Sequence, residues 1–401
     1  VDVYVARQPI FDRRMNVYGY ELLYRRSMNN FYEGADGSQA TAETINNAFF
    51  VMHFDELTSG TRAFINFSEE LLEMEIPCLL PKEIIVIEIL ENIKITEKII
   101  NLCRKFKSQG YMLALDDFVF SEEYIPLIEM ADIIKVEFSV VNQLEQHRLI
   151  NKYKDKVKFL AEKIETRAEY EIARKMGYDY FQGYFFSKPV IIKGKEIVSL
   201  NINLIRIIKQ LNQNEPDYQK ITEIIERDLG LSYKLLRVAN SVLLGSMHKV
   251  YSIKQALVRL GTIEIMKWIY LMMLKEIQTV ENKELIRTSL VRGKLMEYLA
   301  FELDMKHRHL EFFMTGVFSS VDVLVNQDME EIVKALPLTT EVAEALVGDR
   351  NKLREILDGV IDYEMFNWSE TEGEESFLGI TRERFMRAYL EALKWVMELD
   401  Y

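Results

Sequence analysis

The stretch MLALDDF, residues 112–118, runs four apolar residues straight into two consecutive carboxylates, Asp116 and Asp117. The apolar run is too short for a helix and reads as a buried strand. Adjacent acids at its end repel each other and lose hydration on burial, so something has to offset them. The same design recurs through the first 190 residues. VYGYELLY, AFINF, IIVIEIL, DIIKVEF, VKFLAEKI and DYFQGYFF are short apolar runs that carry a polar residue inside or at the end. Between them lie stretches with helical spacing, such as ATAETINNAFFVMH, ITEKIINLCRKFKSQG and RAEYEIARKMG. Strand and helix alternating this often imply parallel strands, and this many units point to a closed β/α barrel.

From about Val198 the strand runs stop. LNINLIRIIKQLNQ, DYQKITEIIERDLG, LSYKLLRVANSVLLG and SIKQALVRLGTIEIMKWIYLMMLKEI carry apolar residues at helical spacing, as do the segments from Lys283 to Met305 and from Thr381 to Leu399. The expected organisation is α/β followed by all-α, with a barrel over residues 1–197 and a helical domain over 198–401. The join falls near KPVIIKGKEIVSL, punctuated by Pro189 and Gly194.

Composition narrows the function. At 49% hydrophobic and 28% charged residues, the 401-residue chain is an ordinary folded protein with room for more than one core. Its net charge of −13 argues against generic nucleic-acid binding. Cys78 and Cys103 are too few for a disulfide framework or a cysteine zinc site. With no apolar run of bilayer length and no signal-peptide pattern in VDVYVARQPI, a cytoplasmic protein without a membrane span is expected. Val1 leaves open whether the start is the natural one.

In a β/α barrel the functional rim lies at the C-terminal ends of the strands. The polar residues that interrupt or end the runs are Glu21, Asn66, Glu88 with Glu91, Asp116 with Asp117, Lys135 with Glu137, Glu162 with Glu165, and Gln182. Each taken singly reads as a helix cap or a solvated loop residue. Together they form a ring of carboxylates on one face, which needs cations. Oxygen donors without thiolates suit hard ions such as Mg²⁺, Mn²⁺ or Ca²⁺. A pair of such ions is the apparatus of phosphoester hydrolysis.

These residues carry a resemblance. RQPIFD, ELL at Glu21, FINFS, EILE, LDDF, IIKVE, AEKIET and FQGYFFSKP follow the order and spacing of the EAL domain, over about residues 3 to 190. That family comprises cyclic di-GMP phosphodiesterases and receptors, with a TIM-like (β/α)8 barrel containing one reversed strand. The resemblance implies Mg²⁺ or Mn²⁺ as cofactor. It sets Glu21, Asn66, Glu88 and Asp116 around one metal, and Asp116, Asp117 and Glu162 near a second. Lys135 and Gln182 would lie close to the attacking water, and Glu91 would orient the loop after Asp117. Gln8 and Arg25 would contact the dinucleotide. Three departures stand out. Val119 and Ser121 replace the glycines of the family's DDFGTG, Glu137 replaces an aspartate, and Lys163 replaces the glycine of AEGVET.

The helical half holds only His248, His307 and His309 and no His-Asp dipeptide, which excludes the usual ligand set of an HD-type phosphohydrolase. KHRH reads as surface, and Met272, Met273 and Trp268 as core. Asn240-Ser241 reads as a cap or turn after an apolar run. GLSYKLLRVANS, YSIKQALVRLG and VFSSVDVLVNQDMEEIVKALPL resemble the HDOD domain and the later part of bacterial EAL–HDOD proteins. Three readings follow from the two resemblances. The first is a signalling protein that binds cyclic di-GMP with divalent metal and acts through a protein bound to its HDOD domain, with homodimers allowed. The second is an active phosphodiesterase that gives the linear dinucleotide. The third is a scaffold whose rim binds nothing.

Overall fold

The computed structural model describes residues 3–26, 55–118, 120–187, 202–213, 215–240, 249–279, 281–365 and 376–399. Eight strands close a barrel in chain order. They are β1 (Val3–Asp12), β2 (Val17–Arg26), β3 (Arg62–Phe67), β4 (Ile85–Ile89), β5 (Met112–Leu115), β6 (Ile133–Glu137), β7 (Lys158–Glu162) and β8 (Tyr180–Gln182). Strands β2 to β8 pair in parallel, and β1 is antiparallel to both its neighbours. Connection length explains the reversal. Only residues 13–16 separate β1 from β2, too few for the crossover that parallel strands need. Asp12 fixes that turn by accepting from the backbone N–H of Arg14 at 2.8 Å and of Asn16 at 2.9 Å. A barrel with one reversed strand followed by helices is the fold expected from the sequence.

Longer links carry helices, among them Glu97–Gln109, Gln143–Tyr153 and Arg167–Met176. The last begins in a capping box, with Thr166 and Glu169 each accepting from the other's backbone N–H. It ends at Gly177, whose φ of 114° is open to glycine without strain.

Inside the barrel, Ile10, Phe64, Val86, Ala114, Ile133 and Leu160 form one fully buried layer. Two residues further along β3 to β7, on the same inward face, stand Asn66, Glu88, Asp116, Lys135 and Glu162. In β8 Gln182 follows Tyr180 in the same way, and in reversed β1 the corresponding residue, Gln8, precedes Ile10. The period of two thus lays a polar layer on an apolar floor. Gly19 leaves room for the floor: a Cβ there would stand 2.9 Å from the Phe64 ring and 2.8 Å from the Arg62 carbonyl oxygen.

The chain divides into two compact units. The first joins the barrel with Lys283–Arg287 and the residues from Asp358 onward. There Tyr20, facing outward, donates to Glu284 Oε1 at 2.9 Å, and the Arg7 guanidinium lies 4.3 Å from the Tyr20 ring centre. The Tyr184 hydroxyl donates to the Glu364 carbonyl at 3.0 Å. The second unit comprises Pro189–Asn282 and Thr288–Leu357, and its described regular elements are all helical. Ile207, Ile208, Ile225, Leu257, Ile269, Leu295, Leu299, Phe312 and Val317 are fully buried. Trp268 and Met273 are core as expected, while Met272 is half-buried. Asn240 donates to the carbonyls of Leu236 and Val250 and accepts from the Val250 N–H, clamping the helix end to the returning chain. Ser241 and His248 lie outside the described residues. No described helix is long and apolar enough to cross a membrane.

Candidate functional site

Lys135 stands at the centre of the polar layer and is 1% exposed. Its ammonium lies 2.6 Å from Glu88 Oε1, 2.6 Å from Asp116 Oδ1, 3.0 Å from Glu162 Oε1 and 3.4 Å from Glu21 Oε2. The remaining contacts orient Glu21. Asn66 Nδ2 donates to its Oε1 at 3.1 Å, and Gln182 Nε2 donates to its Oε2 at 2.5 Å. Gln182 Nε2 also donates to Gln8 Oε1 at 2.8 Å. Seven residues placed on separate strands by the sequence, joined by Gln8 from β1, are therefore one connected cluster.

One ammonium faces four carboxylates, an imbalance that shows in their protonation. Burial, opposed by Lys135, pushes Glu162 up to about 8. Burial likewise holds Glu88 well above the usual carboxylate range. For Lys135, burial acts downward, and Glu162, Glu21, Glu88 and Asp116 more than reverse it, so its charge is fixed through the neutral range. The sign for stability follows. Glu88 and Glu162 have raised folded pKa values, so the folded barrel holds more protons than the unfolded chain above the ordinary carboxylate value. This contribution is complete below about pH 4.5 and is lost as pH rises toward 8. In chelator-treated buffer the barrel should lose stability on the order of 3 kcal/mol across that interval. Calorimetry at pH 5 and pH 8 measures it, and a transition that strengthens with pH would contradict it.

Other candidates lie apart. Asp117 leaves the strand with φ 40° and is half-buried, facing outward from Lys135 toward Lys163. Glu91 is exposed, and its backbone carbonyl accepts from the Tyr124 hydroxyl at 3.1 Å. That bond and the edge-on contact of Phe118 with Tyr124, at 5.5 Å, anchor the chain that follows Asp117. Val119 lies outside the described residues, as does the side chain of Arg25, whose backbone pairs with Tyr4. The sequence reading missed a pairing between two of its own departures. Lys163 Nζ lies 2.5 Å from Glu137 Oε2. The signal was available: an acid one methylene longer than usual on one strand, and an added lysine after the next.

A hard divalent ion fits the chemistry of this rim. Asn66 Oδ1, Glu88 Oε2, Glu162 Oε2 and Gln182 Oε1 are buried oxygens without a hydrogen-bond partner, and all are donors that such ions favour. Among the described residues no three acidic groups already converge as a cage, because Lys135 occupies the centre.

Comparison with known proteins places the chain. Residues 50–189 match the EAL domain, and residues 197–347 match the HDOD domain. The uncharacterized protein YuxH of Bacillus subtilis is 39% identical over 408 residues, covering 99% of this chain and 98% of its own. The chain is an EAL–HDOD protein. The cyclic di-GMP phosphodiesterase CdgJ of Vibrio cholerae is 33% identical, with 99% of this chain and 93% of CdgJ covered. Among solved structures, the calcium and cyclic di-GMP complex of Klebsiella pneumoniae BlrP1 aligns at 22% identity with a TM-score of 0.39. That alignment spans 47% of this chain and 56% of BlrP1, less than two thirds of its length.

The HDOD unit has a buried charged cluster of its own. Glu297 accepts from Lys267, from Lys294 at 2.8 Å, and faces His309 Nδ1 at 3.0 Å. His307 is exposed, as KHRH suggested, but His309 is not. It opens the helix His309–Phe318, which packs on the helix Lys283–Glu302 where Gly293 meets Gly316. A Cβ on Gly316 would come within 2.5 Å of Gly293 Cα, so this approach needs both glycines.

Proposed function

We propose that the rim of the EAL barrel binds cyclic di-GMP together with divalent cations, Mg²⁺ or Mn²⁺, and that the HDOD unit passes the signal to a protein partner in the cytoplasm. The observation that carries this reading is the ring of carboxylates around Lys135, with buried oxygens left over on Asn66, Glu88, Glu162 and Gln182. Bound cations would supply Lewis acidity and offset the negative charge that otherwise repels a phosphodiester. The chain's own residues do the rest. Lys135 is a fixed cation rather than a proton acceptor, because its carboxylate neighbours hold it protonated. Asn66 and Gln182 set the plane of the Glu21 carboxylate. Gln182 Oε1, without a partner, is an acceptor for a water or ligand hydroxyl. Gln8, bonded to Gln182, brings an amide from reversed β1 to the same mouth, where Arg25 is the expected phosphate partner.

Titration of the full chain with cyclic di-GMP in Mg²⁺ is expected to give saturable binding at about 1 µM or tighter, abolished by chelator. Glu88→Ala should weaken it at least about tenfold, since it removes a buried carboxylate whose free oxygen is a donor for a hard cation. Absence of binding at micromolar ligand would end the receptor reading.

A second reading, hydrolysis to the linear dinucleotide, is favoured by the name of CdgJ and by the presence of Glu21, Asn66, Glu88, Asp116, Asp117, Lys135, Glu162 and Gln182. Linear product that forms with Mn²⁺ and disappears in Glu21→Ala would establish it. Background rates with the ligand bound would leave a receptor alone.

A further inference from the structure

Lys163 follows Glu162 at the end of β7 with φ 54°, a left-handed conformation that favours glycine. Its ammonium stands 2.5 Å from Glu137 Oε2 and 3.9 Å from Asp117 Oδ1. Glu137 and Glu162 are register partners on β6 and β7, and Asp117 follows β5. Three neighbouring strand ends therefore deliver two acids and one base to a single edge of the rim. Asp117 Oδ1 is buried and has no hydrogen-bond partner. Lys135 does not serve this edge closely, because its ammonium is shared among Glu88, Asp116, Glu162 and Glu21.

We propose that Lys163 is a built-in monovalent cation at the Asp117–Glu137 edge, taking the electrostatic place of one divalent ion. The EAL barrel then takes up one divalent ion per chain where it would otherwise take up two. This rests on the divalent-ion reading given above. An ion approaching Asp117 has to draw Glu137 or Asp117 away from the ammonium and bear its repulsion. At about 4 Å a unit charge opposes a divalent ion by more than roughly tenfold in affinity, even with the screening of water. Lys163 is tethered and exposed, so it acts as a competitor rather than a plug. Its stem bears the left-handed backbone that glycine would adopt freely, which makes glycine the conservative replacement for the main chain. Methionine keeps the stem and removes only the charge.

The test counts Mn²⁺ bound to the full chain by calorimetric titration and by electron paramagnetic resonance of free Mn²⁺, for the parent, Lys163→Gly and Lys163→Met. The parent is expected to bind one ion. Both variants are expected to bind a second, with an affinity at least about tenfold above any weak second uptake by the parent, and with spin–spin broadening from two nearby ions. One ion in all three proteins, or two of equal affinity in all three, would overturn the role of Lys163 and leave the divalent-ion reading standing. A second ion in Lys163→Gly but not in Lys163→Met would assign the effect to backbone relief and overturn the proposal. No Mn²⁺ binding in any of the three would overturn the proposal together with the reading beneath it.

Discussion

Lys135→Met is expected to destabilise the EAL barrel by about 3–5 kcal/mol in chelator-treated buffer at pH 8, the range for removing one partner of a buried ion pair. The substitution nearly conserves volume, so packing contributes little. What remains is Glu88, fully buried, with Asp116, Glu162 and Glu21 around it and no cation among them. The loss should shrink at pH 5. Removing the ammonium raises carboxylates already held high by burial, and protonation then relieves the uncompensated charge. Lys135→Met combined with Glu88→Gln should recover part of the loss, since the two positions share one contact and their effects do not add. Denaturant unfolding of the four proteins measures the cycle. A Lys135→Met barrel within about 1 kcal/mol of the parent at pH 8 would show that the four acids do not depend on this lysine.

Glu297→Ala is expected to cost the HDOD unit a similar amount, about 3–5 kcal/mol. Glu297, buried itself, faces Lys267, which is also buried and reaches Glu264 Oε1 at 3.1 Å as well, together with Lys294 and His309. Alanine removes the buried acid that Lys267 and Lys294 share and opens a void. Burial raises the Glu297 pKa, but Lys294 and Lys267 outweigh it and hold the acid below the ordinary value. Its contribution is therefore present above the ordinary carboxylate pKa and is lost as pH falls toward the lowered value. Calorimetry of the full chain should show the HDOD transition weakening toward acid and the metal-free barrel transition weakening toward alkali. Glu297→Gln, which keeps an acceptor, should lose less than Glu297→Ala. Equal losses would mean that the charge alone, and neither volume nor the retained acceptor, sets the cost.

The barrel was legible because strand periodicity is local. In FINF, VIEI, MLALD and IIK, an apolar residue and a polar residue two places on face the same way. Repeating that step on successive strands is enough to predict a polar ring over an apolar floor. The reversed strand was implied by the family resemblance alone, and the structure supplies its reason, since the four residues between Val3–Asp12 and Val17–Arg26 permit only a hairpin. Within the helical half, spacing gave helices but not the break at Gly261, where φ 73° and ψ 167° interrupt the run Ile253–Glu276.

Charge pairing was not legible, for a reason seen in Asp116 and Asp117. They are neighbours in the chain, yet Asp116 continues the inward face of β5 onto Lys135, while φ 40° turns Asp117 toward Lys163. Glu137 and Lys163 are 26 positions apart, and Lys267, Glu297 and His309 lie on three different helices. Alternation along a strand depends on backbone geometry that each residue carries locally, so the order of residues was enough to place a polar layer at the barrel rim. Which ammonium faces which carboxylate depends on Coulomb contacts of 3 to 4 Å. Such distances exist only after the strands close and the helices pack, and that step belongs to the tertiary structure.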